Sequence, residues 1–163
     1  MSAAPVAYPM IFTIRELVSS QNFMAGITAS GRALMVKEGD GAWWLYGVEP
    51  GGIAETGVSP QEAYLRFVEA FKAILSDIAT GVAEFEKFQE SVKHFFHEAD
   101  ESEGMRWQQA LDAIRSGTLV PGQPFSSLPK QPADTPRFVS VERLSPSSFS
   151  AVRQETLALP EAA

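Results

Sequence analysis

Apolar and polar positions alternate in short runs over the first third of the chain, then recur every three or four residues through the middle. Alternation sends successive side chains to opposite faces of a strand, whereas the longer step lines one face of a helix. Residues 23–28 predict a strand, Ser30-Gly31 a turn, and residues 33–38 a second strand. Gly39-Asp40-Gly41 then offers positions that tolerate positive φ, which a tight hairpin needs. Residues 42–48, with Trp43, Trp44 and Tyr46, form the returning strand, because aromatic and branched side chains suit a pleated surface. Pro50-Gly51-Gly52 breaks it, and a short strand over residues 53–56 follows. Residues 10–18 read as a further strand by alternation, although Thr13 with Glu16 three positions later imitates a helix capping box.

The strongest helical signal begins at Pro60. Ser59 can accept a bond from an orphan amide, proline fits the first helical position, and Glu62 can reach back to the Ser59 amide. Tyr64, Phe67, Val68, Phe71, Ile74, Leu75 and Ile78 make one apolar stripe, which Thr80-Gly81 interrupts. A second amphipathic helix carries Val82, Phe85, Phe88, Val92, Phe95 and Phe96, and a third runs from about Met105 to Ser116. Gly117 stands where a helix end favours a left-handed residue. Residues 137–144 form a last strand, which a crossover after the helices would return to the sheet as a parallel partner. The predicted fold class is α+β: a β-β-β-α-β sheet with one crossover helix and an inserted acidic helical hairpin at about residues 81–117. The domain is expected to span residues 1–144. Residues 145–163, rich in proline and serine, are expected to form a flexible C-terminal tail.

Composition sharpens this picture. With 163 residues, 45% of them hydrophobic, the chain can bury the core of one domain. Twenty acids against 13 bases give a net charge of −7, and no surplus of cations exists to neutralise phosphates. Nucleic acid and anionic membrane are therefore disfavoured, and a basic protein partner is accommodated. The acidity lies in the first two thirds, since residues 118–163 carry equal numbers of acids and bases. The absence of cysteine excludes disulfides, thiolate metal sites and cysteine nucleophiles. No run is long enough for a membrane helix, and the start lacks the basic stretch of a secretion signal, so the expected location is cytoplasmic.

Candidate chemistry is sparse. Trp43 and Trp44 are adjacent in a strand and must point to opposite faces, so one enters the core and the other is covered by the inserted helices, a second subunit or a partner. Trp43, Trp44 and Tyr46 are therefore the candidate partner or subunit interface. His94 can share a helix face with Glu90 and Glu98, and His97 lies close by, which is the spacing a divalent metal site requires. Glu–His pairs at this spacing more often serve only to stabilise an exposed helix. No phosphate-binding glycine loop and no serine-nucleophile elbow occurs. The expectation is a non-enzymatic protein with no cofactor and no resident metal.

Residues 33–36, Gly39-Asp40-Gly41, residues 43–48, Pro50-Gly51-Gly52-Ile53, Glu55-Thr56-Gly57 and Ser59-Pro60-Gln61-Glu62-Ala63 make up one run. That run resembles the HicB family of antitoxins. The resemblance covers about residues 32–79, with the strand at 137–144 in addition. It implies a partly degraded RNase H-like fold that binds a small basic RNA-cleaving toxin, as a dimer or larger homo-oligomer. It also prompts a search for the metal-holding carboxylates of full RNase H enzymes, for which Glu38, Asp40, Glu62, Glu69 and Glu142 are the candidates. Glu62 and Asp40 are already accounted for by a cap and a turn. The chain departs from the family pattern in its acidic insertion, and its end, of zero net charge, lacks the basic recognition helix that DNA binding would need. The reading is thus an antitoxin-type binder of a small basic protein. The alternatives are a stand-alone oligomeric scaffold of the same fold and, behind it, a divalent-metal hydrolase.

Overall fold

The computed structural model describes residues 6–145 and 161–162. Strand β1 (Val6–Ser19) and strand β2 (Met24–Lys37) pair antiparallel along their whole length, from Val6 against Lys37 to Ser19 against Met24. They are followed by β3 (Trp43–Glu49), β4 (Ala54–Gly57), α1 (Pro60–Thr80), α2 (Phe85–His97), α3 (Glu101–Arg115), β5 (Phe138–Arg143) and β6 (Glu161–Ala162). The sheet order is β4-β3-β2-β1-β6, with β5 also paired to β2. Every pairing is antiparallel. The protein is α+β, as expected. Of the expected tail, residues 146–160 and 163 lie outside the described residues, while Glu161 and Ala162 pair with Ile11 and Met10.

The ambiguous stretch at residues 10–18 is strand, not helix, and the Gly39–Gly41 turn forms with Gly41 at φ 88°. The predicted turn at Ser30-Gly31 does not exist, because β2 runs straight through it. Gly31 serves close approach instead: a Cβ there would collide with the Glu49 carbonyl and lie 2.7 Å from the Phe12 ring. Ser30 is buried beside it.

α1 forms as its signals dictate. The Ser59 hydroxyl accepts from the Glu62 amide at 3.1 Å, but the Glu62 carboxylate caps the Val58 amide (2.9 Å) rather than that of Ser59. Its stripe packs on one sheet face, where Phe67 and Phe71 meet Phe12 edge-on at 5.3 and 6.3 Å. α2 joins the same core through Phe88, Val92 and Phe96. α3 does not. Trp107, Ala110 and Leu111 close a second cluster with Ile11, Leu34, Val36 and Val48 on the opposite face. The predicted helical hairpin is therefore two separate helices on opposite sides of the sheet. The link between them turns past the end of β3, held by Asp100 N–H to the Val48 carbonyl (2.9 Å) and Gly51 N–H to the Glu98 carbonyl (2.8 Å).

β5 also departs from expectation, being antiparallel to its neighbour. β3 occupies only Arg32–Lys37 of the β2 edge, which leaves Ala25–Ser30 with unmet backbone groups. The chain reaches that gap where β3 ends, because the Arg32 guanidinium binds the carbonyls of Ala133 and Thr135. β5 thus enters beside Ser30 and runs back to Ala25, against the direction of β2.

Candidate partner-binding face

Trp43 and Trp44 do point to opposite faces. Trp43 packs against the larger core, and its ring meets Tyr8 and Phe125, at 6.4 and 5.6 Å. Phe125 lies in a short 3-10 turn (Phe125–Ser127), so the chain itself covers this tryptophan. Trp44 and Tyr46 share the face on which α3 lies. Their rings stack at 5.8 Å between centroids and 10° between planes. Tyr46 touches the α3 cluster, whereas Trp44 stands outside it, half-buried.

Charged groups border the Tyr46 side of this pair. The Tyr46 hydroxyl donates to Glu38 Oε1 at 3.1 Å. The Arg106 guanidinium lies 5.8 Å over the Tyr46 ring and binds both Glu103 oxygens, at 3.1 and 3.2 Å. The Tyr46 pKa is raised, by burial first and then by the bond and charge of Glu38, with Glu103 adding and Arg106 opposing. The phenol therefore stays neutral and keeps its proton as a donor. Aromatic faces framed by carboxylates attract cations, since ring quadrupole and charge act in the same sense.

A second polar cluster sits where β3, the α2–α3 link and the approach to β5 meet. The Glu49 carboxylate binds His97 Nδ1 and Arg137, each at 3.2 Å. Beside it Arg32 stacks over Trp107 at 4.5 Å. Burial and then Arg137 lower the Arg32 pKa, while Glu49 and Asp134 pull the other way. The cluster draws on β2, β3, α2, α3 and the approach to β5, and the arrangement works as a joint.

The candidate metal ligands are not brought together. His94 is 79% exposed and pairs with Glu98 at 3.4 Å, Glu90 pairs with Lys87, and His97 turns away to Glu49. Asp40 accepts from the Ala42 amide within its turn, Glu62 caps α1, and Glu142 is exposed on β5. Among the described residues no group of three His, Asp or Glu side chains is placed to hold a metal ion. An open cleft of about 720 Å³ lies between residues 19–22 and 79–83. No acid or base lines it. Its Ser20 and Thr80 hydroxyls and its Asn22 amide are bonded to nearby backbone.

Sequence reasoning missed Glu103, Arg106, Glu49, Arg32 and Arg137. The spacing of Glu103 and Arg106 on one helix face was a readable signal of a pair. Their closeness to Tyr46 was not, because it depends on α3 crossing to the other side of the sheet. Among the described residues no helix is long and apolar enough to cross a membrane. Comparison with protein-family models, with curated proteins and with solved structures finds no match for this chain.

Proposed function

We propose that this protein is a non-enzymatic, cytoplasmic binding protein of antitoxin type, HicB-like in role, whose partner is a small basic protein. The observation that carries the reading is the stacked Trp44–Tyr46 pair beside Glu38 and Glu103, on a sheet face that α3 leaves half-covered. Large aromatics at a surface are the usual anchors of protein interfaces, and the surplus of acids favours encounter with a cationic partner. An antiparallel sheet leading through a bend into a capped helix is in keeping with the resemblance in residues 32–79. The test is affinity purification of the tagged chain from its source organism at low and high salt. A small basic companion is expected at fixed stoichiometry. Raised salt should release it, as should the Trp44→Ala/Tyr46→Ala double variant with its circular dichroism unchanged. A chain that elutes alone at low salt would refute the reading.

The scaffold reading draws on a different observation: Phe138, 44% exposed, on edge strand β5. It requires the pure protein to self-associate. Light scattering that returns the monomer mass, and stays there with Phe138→Ser, removes it.

A further inference from the structure

The partner's point of entry follows from how the aromatic face is occupied in the free chain. Glu103 is 17% exposed and held as an acceptor, whereas Arg106 is 39% exposed and sits at the mouth, over the Tyr46 ring. Two carboxylates border the Tyr46 ring, Glu38 at its hydroxyl and Glu103 through its bonds to Arg106, so the place remains acidic with the one guanidinium in it. An ion pair three residues apart on an exposed helix is weak, and a cation–ring contact at a wet surface adds little. Arg106 is therefore replaceable at small cost, while the stacked rings and the shielded carboxylate stay in place.

We infer that Trp44, Tyr46, Glu38 and Glu103 form a receptor for an arginine or lysine side chain of the basic partner, and that Arg106 fills it internally until that side chain displaces it. The inference rests on the proposed function for its partner but can fail without it. A short oligoarginine peptide is the probe, measured by titration calorimetry against the full chain. Arg106→Gln should tighten binding about three- to tenfold, because the internal competitor is gone. Trp44→Ala and Glu103→Gln should weaken it by at least as much. Arg115→Gln is the control: it makes the same change in net charge on the same helix, at an exposed position. Equal tightening by Arg106→Gln and Arg115→Gln, or indifference to Trp44→Ala, would show that the peptide reads net charge alone and would overturn the inference. A native basic partner that co-purifies equally with wild type and Trp44→Ala/Glu103→Gln would leave the proposed function standing and remove this site from it.

Discussion

The fold raises the pKa of Tyr46 through its burial and its neighbours. Its phenol donates to Glu38 and lies close enough to Glu103 for that charge to oppose ionisation. Since the folded state raises this pKa, the stabilisation is whole below the ordinary tyrosine range and is lost as pH rises through the folded value. In an ultraviolet titration the Tyr46 phenol should therefore ionise above the ordinary tyrosine range. Tyr46→Phe should remove that late step, and stability should then fall less steeply in alkali. Titration curves of wild type and Tyr46→Phe that coincide in the alkaline range would contradict this account. Arg106→Gln should delay the step further, because Arg106 favours the ionised form.

At the scale of elements, local signals and long-range geometry part company. The α1 start was legible because its cap is local: hydroxyl, proline and carboxylate act within four residues. Ser59→Ala should lower stability by about 1 kcal/mol in urea unfolding. The hairpin, the bend at Pro50–Gly52 and the aromatic return strand were legible for the same reason. Gly31 was not. It reads as a turn residue, yet its need is set by Phe12 and Glu49, on two other strands. Gly31→Ala should consequently destabilise by more than 2 kcal/mol, since backbone and a buried ring must both give way. A variant that unfolds at the wild-type midpoint would show that this crowding relaxes freely. The direction of β5 and the separation of α2 from α3 were equally hidden, because no local pattern states which face a helix will cover. Of the candidate site, Trp44 and Tyr46 were readable as surplus aromatics, but their charged rim arises only when α3 folds over.

Across the whole molecule, Arg32 ties three parts that share no local sequence. It stacks on Trp107 of α3, stands on β2, and holds the backbone at Ala133 and Thr135 that leads into β5. Trp107 in turn donates its indole N–H to the Met10 carbonyl of β1 at 3.2 Å. Arg32→Leu should reduce stability by about 1–3 kcal/mol, the range for losing charge-assisted bonds and a stacked cation. Hydrogen exchange should locate the damage, with β5 amides losing protection before those of the β1–β2 pair. Uniform loss across the sheet would mean that Arg32 does not position the returning segment. Lysine should rescue poorly, because one ammonium cannot serve two carbonyls and an indole face together.

The shared edge of β2 has a bearing on birth as well as on form. Its first half takes a neighbour from about a hundred residues downstream. At a synthesis rate of about 5–20 residues per second, a nascent chain carries that raw border for about 5–20 s before its mate emerges from the ribosome. During that interval any other extended peptide is a rival for the same amides, and the newborn protein has reason to need a chaperone's shelter.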